Sequence, residues 1–364
     1  SKKLGEITNK VNSGKTPLGG ETIYTKEGVL FIRSQNVNSD KLELDNSTFI
    51  PELVNFQMKN SIVKPNDILL NITGASLGRS CVVPHDFEIG NVNQHVCIIR
   101  LEKQYNPRFL QPLFSSKKGQ IIFTSLQTGS GREGLNFESI KGIKLFIPIS
   151  DEQQKISNFL CRINERIQTQ NKIIEELKLL KNTIRYQLYK QILNGENELV
   201  RIKDILNYEQ PTKYLVTNTD YSSDTSLIPV LTANKAFVLG YTDEGFGVYD
   251  KDECIIFDDF TMDMKFVNFR FKVKSSAIKI LTAKPNMNLK FTFEYLSFLN
   301  LSSNEHKRHY ISEIEQMEIA FPDHIRQKQI AVVLSSIDEK IKTESEIYTL
   351  LIKQKQYLLA NLFI

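Results

Sequence analysis

The sequence predicts a mixed α/β (α+β) protein in which two heads are joined and separated by two long helices forming an antiparallel coiled coil. Three observations carry that expectation. "FIPISDEQQKISNFLCRINERI" at 146–167 superposes without a gap on "AFPDHIRQKQIAVVLSSIDEKI" at 320–341, an offset of 174 residues that carries Pro148 onto Pro322. Heptad spacing follows each copy, and strand-like runs precede each copy in the same order.

In the first helix Ile156, Leu160, Ile163, Ile167, Ile174, Leu177, Ile184 and Leu188 step by fours and threes, with Gln170 and Lys181 in the two missing places. The second gives Ile330, Leu334, Ile337, Ile341, Tyr348, Leu351, Leu358 and Leu362, broken at the matching places by Glu344 and Lys355. So narrow a stripe needs a similar one to cover it, and each copy is the other's obvious partner. The expected packing set is Ile163, Ile167, Ile174, Leu177 and Ile184 with Ile337, Ile341, Tyr348, Leu351 and Leu358. Polar residues in such a seam fix register at some cost in stability, and an antiparallel pair would let Lys181 approach Glu344. At about 1.5 Å per residue, some 40 residues make a rod of roughly 60 Å. Pro148 and Pro322 close the preceding strands, Asp151, Glu152 and Asp323 put acid in the first turns, and Gly195 offers a cap for the first helix.

The heads read as strand-rich domains. "GVLFIRSQNV", "DILLNITG", "HVCIIRL" and "GIKLFIP" in the first match "SLIPVLTANK", "ECIIFDDF", "SAIKILT" and "QMEIAFP" in the second, and "KKLGEI" at 2–7 echoes "VRIKDI" at 200–205. The expected boundaries are a first head at 1–147, a central helix at 148–198, a second head at 199–321 and a C-terminal helix at 322–364.

Length and composition agree with this plan. A chain of 364 residues is long enough for two cores, and no apolar run of about 18 residues could span a bilayer. Four scattered cysteines without a CxxC pair, and a start without an apolar leader, point to a cytoplasmic protein with free thiols. The chain opens at Ser1 with little before its first strand, which leaves room for an N-terminal extension. The net charge is +4, but the first head carries 18 basic and 13 acidic residues and the second 14 and 17. Within the second, 264–293 holds Lys265, Arg270, Lys272, Lys274, Lys279, Lys284 and Lys290 and no acid, a local basic face.

Catalytic patterns are mostly missing. "NPRF" at 106–109 lacks the second proline of an adenine-methylation NPPY-type motif, and no glycine-rich turn suits a methyl donor or dinucleotide. "TGSGREG" at 128–134 has no GK[ST]. "ELK" at 176–178 has nuclease-like spacing, but Leu177 is a seam residue, so a solvated helix face is the better reading. "HKRH" at 306–309 offers two histidines and no third ligand nearby, so a basic loop is favoured over a metal site. No cofactor or metal is expected.

Polar loops between strands remain. In the first head they present Arg33, Gln35 and Asn36; Thr73, Ser76 and Arg79; Asn93 and Gln94; and Ser130 and Arg132. In the second they present Thr232, Asn234 and Lys235; Thr261 and Lys265; Lys274 and Ser275; and Lys307 and Arg308. Arg and Lys suit guanine edges, Asn and Gln suit adenine edges, and Ser and Thr suit phosphates. Taken singly, each is as well explained as a solvated turn.

Two heads, each followed by a copy of this helix, resemble the specificity (S) subunit of type I restriction-modification systems over essentially the whole chain. The resemblance is carried by Pro148, Gln153, Ile156, Leu160, Ile163, Glu165 and Ile167, and by Pro322, Gln327, Ile330, Leu334, Ile337, Glu339 and Ile341. It implies a non-catalytic chain whose heads, as target-recognition domains, each read one half of a split double-stranded DNA target. The helix pair would set the unspecified spacer and dock two modification (methylase) subunits, with restriction (translocase/nuclease) subunits joining through the methylase complex. Adenine methylation with S-adenosylmethionine and ATP-driven cleavage would belong to those partners. The competing readings are a methyltransferase or nuclease with a divergent motif, and a coiled-coil scaffold that binds only proteins.

Overall fold

The structure, a computed structural model, describes residues 1–38, 40–127, 134–233, 236–301 and 308–362. The chain divides into two compact units, Ser1–Asn171 with Glu346–Ile364, and Lys172–Ser345, so each long helix contributes a part to both.

Unit one opens with Lys2–Lys3 paired antiparallel to Lys144–Leu145, then a tight turn at Leu4–Ile7. Its strands are β1 (Thr8–Ser13), β2 (Val29–Ile32), β3 (Thr48–Ile50), β4 (Ile62–Val63), β5 (Ile68–Asn71), β6 (Ser80–Val82), β7 (Gly90–Val92) and β8 (Val96–Leu101). They form two four-stranded sheets, β1-β8-β5-β6 and β3-β2-β7-β4; only β2 and β7 pair in parallel. Strand β8 shows why "HVCIIRL" has no polar alternation, since both of its faces are covered. Cys97 and Ile99 pack with Leu110, Phe114 and Phe123 of helices α1 (Pro107–Ser115) and α2 (Lys117–Leu126), while Val96 and Ile98 face Ile32 and Val92 of the other sheet.

Helix α3 (Ser150–Asn194) then leaves unit one and enters unit two. There β9 (Glu198–Arg201) leads into Ile202–Ile205, β10 (Leu206–Glu209), β11 (Ile228–Leu231), β12 (Val238–Thr242), β13 (Cys254–Asp258), β14 (Met264–Val267), β15 (Lys272–Val273) and β16 (Ile278–Ala283). Helix α4 (Leu289–Leu299), β17 (Glu318–Phe321) and the long α5 (His324–Leu362) follow. The sheets are β10-β16-β13-β14 and β12-β11-β15, and β9 pairs with β17. Again a parallel pair of strands, β11 with β15, lies in the second sheet, and Leu215 adds a parallel bridge to Val273 of β15. Strand by strand this is the order of unit one, without a counterpart, among the described residues, to the edge strand β4 and to the small hairpin Val37–Asn38 with Lys41–Leu42. All four quoted sequence matches fall on equivalent strands, and the two similar openings fall on the equivalent first turns.

The repeat has a local reason. Gln153 Oε1 accepts the backbone N–H of Asn106 at 3.0 Å while its Nε2 donates to the Pro148 carbonyl at 2.9 Å. Gln327 does the same with Asn288, 3.0 Å, and Pro322, 2.9 Å. Asn106 and Asn288 in turn cap α1 and α4 with their side chains. One buried amide thus ties the end of a strand, the start of a long helix and the cap of a head helix.

All ten seam residues expected to pack are buried or half-buried, as are Gln170, Lys181, Glu344 and Lys355 in the breaks. Within unit two, Lys181 meets Asp338, and Tyr189, two turns later on α3, shares its core with Ile330, two turns earlier on α5, the antiparallel sense. The expected approach of Lys181 to Glu344 is corrected: Lys181 Nζ lies 2.7 Å from Asp338 and 2.7 Å from Glu294 of α4, whereas Glu344 pairs with Lys340 one turn away. An acid offered by the head outcompetes the seam partner because it brings a fully buried carboxylate that needs a cation.

Candidate nucleic-acid interface

Parallel pairing of β2 and β7 sends the turns that follow them off the same edge of unit one. The Asn93 N–H donates to the Ile32 carbonyl at 3.1 Å, and Asn71 Nδ2 donates to the Ser34 carbonyl at 2.9 Å. The Ile72 N–H donates to the His95 carbonyl at 3.0 Å, and the Gly14 N–H to the Asn93 carbonyl at 3.1 Å. Four connections therefore converge: 14–18, 33–36, 72–76 and 93–95. Gly14 is required at this crossing, since a Cβ there would lie 1.6 Å from the Val92 carbonyl oxygen.

A hydrogen-bonded chain runs along this edge. Thr16 Oγ1 donates to Gln94 Oε1 at 2.7 Å, Gln94 Nε2 lies 2.9 Å from His95 Nε2, and His95 Nδ1 lies 2.6 Å from Thr73 Oγ1. With Gln94 donating, the neutral ring carries its proton on Nδ1 and gives it to Thr73. Arg33, which opens the 33–36 turn, holds its guanidinium 5.8 Å from the Tyr24 ring centroid, and its Nε has no protein acceptor among the described residues. A guanidinium stacked this way keeps its fork oriented and its donors available. Gln35, Gln94, Lys15 and Thr16 are exposed, and Leu18 stands 91% exposed at the tip of the first loop.

Of the residues expected from sequence, Arg33, Gln35, Thr73, Ser76, Asn93 and Gln94 fall on these converging connections, and Thr73 and Gln94 are joined through His95. Two others are placed differently. Asn36 is buried, its amide accepting the Arg33 N–H at 3.0 Å and donating to the Glu43 carbonyl at 2.9 Å, so it builds the turn that presents Arg33. Arg79 donates to Asn38 at 3.2 Å and lines a cleft of about 350 Å³ beside the end of α5. Ser130 and Arg132 lie outside the described residues. Lys15, Thr16 and Leu18 escaped the sequence reading, although "SGKTPLGG" carried a signal in its glycines.

Unit two repeats the construction with different side chains. The Lys274 N–H donates to the Leu231 carbonyl at 3.2 Å across the parallel pair, and the Asp259 N–H to the Ala277 carbonyl at 3.0 Å. Asp259, buried, accepts the backbone N–H groups of His309 and Tyr310 at 3.1 and 2.8 Å, with Lys279 Nζ at 3.5 Å from its other oxygen. This carries the 308–310 segment to the edge that presents Thr261, Lys274 and Ser275; Thr261, Lys274 and Arg308 are exposed there. Thr232 is instead buried, its N–H donating to the Phe237 carbonyl at 2.9 Å. Lys265 points elsewhere, into a cleft of about 480 Å³ with Phe266, Asn268, Lys290, Asp338 and Glu339, because its register opposite Ile256 puts it on the strand rather than the hairpin tip. Asn234, Lys235 and Lys307 lie outside the described residues.

A second clamp orders the edge strand of unit two. Glu244 accepts from the Thr217 N–H at 3.0 Å, Thr217 Oγ1 at 2.7 Å and the Asn218 N–H at 2.9 Å, and lies 2.7 Å from the buried Lys272 ammonium. The hydrogen bond from Lys272, followed by that from Thr217, holds its carboxyl down at about 2. Among the described residues no group of three His, Cys, Asp or Glu side chains is placed to hold a metal, and no helix is long and apolar enough to cross a membrane.

Similarity to known proteins follows the same lines. A family model described as the type I restriction modification DNA specificity domain matches residues 1–179. The chain is 46% identical over 139 residues to the type I restriction enzyme EcoR124I/EcoR124II specificity subunit of Escherichia coli, covering 36% of this chain and 34% of that protein. It is 31% identical over 134 residues to the EcoBI specificity subunit of the same organism, covering 36% and 27%. The matches thus span about a third of these relatives' length. In fold it resembles the crystal structure of the type I restriction-modification S subunit from M. genitalium, with a TM-score of 0.65 at 14% identity over 100% of this chain and 95% of that one. The specificity-domain match and the sequence relatives agree that residues 1–179 carry the type I restriction modification DNA specificity domain, and the chain as a whole shares the fold of the S subunit structure.

Proposed function

We propose that this chain is the non-catalytic DNA-specificity subunit of a type I restriction-modification complex, with each head reading one half of a bipartite double-stranded target. The observation that carries the reading is the duplicated edge: two heads of one topology converge polar loops at equivalent strand ends but fill them with different side chains, which is what two different half-sites require. In the first head Arg33, Gln35, Gln94 and Thr73, with Lys15 and Thr16, are the contact set. In the second they are Thr261, Lys274, Ser275 and Arg308. Phosphate contacts would position each head and base contacts would specify the sequence.

The long helices would set the spacer between half-sites and dock two methylase subunits, with restriction subunits joining through the methylase complex. Half-sites on one DNA face recur about every 34–36 Å, a distance within the reach of helices of this length. Methyl transfer and cleavage would reside in those partners, and the assembly would work in the cytoplasm without a cofactor on this chain.

The test is mapping of methylated adenine in cells producing the chain with its cognate methylase, against cells lacking the chain. A split motif that vanishes without the chain supports the reading. Unchanged methylation with an assembled complex would sink it in favour of a scaffold. Leu177→Asp and Leu351→Asp are expected to alter the spacer or abolish assembly, and an unchanged spacer in both would contradict the ruler role.

A further inference from the structure

The lysines that break the two heptad seams, Lys181 and Lys355, stand at the same place in the repeat, yet neither serves the seam alone. In unit one Lys355 Nζ lies 2.5 Å from Asp40 Oδ2, an ion pair across 315 residues of sequence. Asp40 sits at φ 68, a left-handed conformation that Asp tolerates, at the turn of the small hairpin Val37–Asn38 and Lys41–Leu42. Its other oxygen accepts Gln111 Nε2 and Ser115 Oγ of α1, both at 2.6 Å. Burial by itself would raise the Asp40 carboxyl, and Lys355 and these donors more than offset that, holding it below the usual carboxylate range.

From Asp40 a short path leads to the reading edge. The hairpin joins the 33–36 turn through reciprocal bonds, the Glu43 N–H to the Asn36 carbonyl at 2.8 Å and Asn36 Nδ2 to the Glu43 carbonyl at 2.9 Å. Asn36 Oδ1 then accepts the Arg33 N–H. In unit two Lys181 takes the same step from helix to head, reaching Glu294 of α4. Glu294 has two further cations, Lys290 at 2.8 Å and Arg185 at 3.5 Å, whereas Lys355 is the one ammonium paired with Asp40 among the described residues.

We propose that Lys355 is a positioning residue for recognition of one half-site: it latches the Asp40 hairpin to α5 and so sets the attitude of the turn that carries Arg33 and Gln35. Lys181 plays the same part for the second head with two cations in reserve. The proposal rests on the DNA-reading function above and deepens it. The pair is mostly buried, and Gln111 and Ser115 still hold the Asp40 carboxylate when the ammonium is removed, so the readout that identifies a latch is the geometry of the hairpin rather than stability.

The test uses the chain assembled with its methylase and the variants Lys355→Met, Lys355→Arg and Lys181→Met. Lys355→Met is expected to speed amide exchange in 33–43 but not in β5 or β8. It should also cut discrimination at one half-site by about tenfold, with the other half-site and the spacer unchanged. Lys355→Arg should restore both readouts in large part, and Lys181→Met should produce a smaller loss at the opposite half-site. Unchanged exchange in 33–43, or equal losses at both half-sites, would overturn the latch. A wild-type complex with no split target, in which exchange still responds to Lys355→Met, would refute the DNA-reading function and the positioning role that rests on it, while leaving the mechanical contact standing.

Discussion

The two units share a strand order and differ in how the head is fastened to its helices. In unit two α4 is fixed by an aromatic cluster: Tyr189 of α3 stacks on Tyr295 at 4.8 Å, contacts Phe291 at 5.2 Å and donates its hydroxyl to the Phe291 carbonyl at 2.8 Å. The fully buried Glu294 adds three cations to that joint. In unit one the corresponding joint is a small cluster of Phe109, Leu160 and Leu359 with the Asp40 pair beside it. Duplication preserved what is local to the repeat, the glutamine stitch, and left each head to find its own long-range fastening. The comparison teaches that a duplicated scaffold can fasten its two heads by different long-range contacts, an aromatic cluster with a multiply paired acid in one and a small apolar cluster with one ion pair in the other.

The largest expected effect tests the fastening directly. Tyr189→Ala should remove about 5 kcal/mol from unit two, at the top of the range for large aromatic truncations, and Phe109→Ala about 3 kcal/mol from unit one. Denaturant unfolding followed by exchange in each unit separates the two, and equal losses would erase the asymmetry. Where the units are alike, effects should match: Gln153→Ala and Gln327→Ala each strip one buried amide from the same two partners and should each cost about 1–3 kcal/mol. A difference larger than the lower figure would show that the repeat is not energetically equivalent.

Next come the reading edges. Arg33→Ala or Gln94→Ala should weaken binding by about 1–3 kcal/mol and relax one half-site only, whereas Lys274→Ala should act on the other half-site. If Lys274 contacts phosphate, its loss lowers the salt slope by about one and weakens all sequences alike.

The smallest effect concerns acid. Glu244 is depressed from 4.5 to about 2, so its contribution is complete above pH 4.5 and is lost as pH falls toward 2. Glu244→Gln should flatten the acid limb of unit two stability in that window and leave unit one unchanged. An identical pH profile in the variant would show that the clamp contributes nothing.

Much of this architecture was legible before any coordinate. The helices expected at 148–198 and 322–364 run from Ser150 to Asn194 and from His324 to Leu362, because a heptad stripe is a local signal read over consecutive turns. The four strand matches were legible for a similar reason: β8 and β16 are rich in apolar residues and buried on both faces, the latter despite Lys279, and such runs stand out. The reading edge was legible only in part. Gln35 and Gln94 are exposed as expected, but Asn36 and Thr232 have the same residue types in the same kind of loop and are buried.

The sequence by itself determined the duplication, the two long helices, the succession along the chain of four matched strands in each head and the residue types in the loops between them, since periodicity and spacing are properties of neighbours along the chain. Tertiary structure decided which of those residues share an edge, that Lys265 turns to a cleft beside α5, and that Lys181 and Lys355 leave their seam for an acid on a head. A buried charge takes the counter-charge that folding brings within about 3 Å, and no local pattern announces a partner 315 residues away.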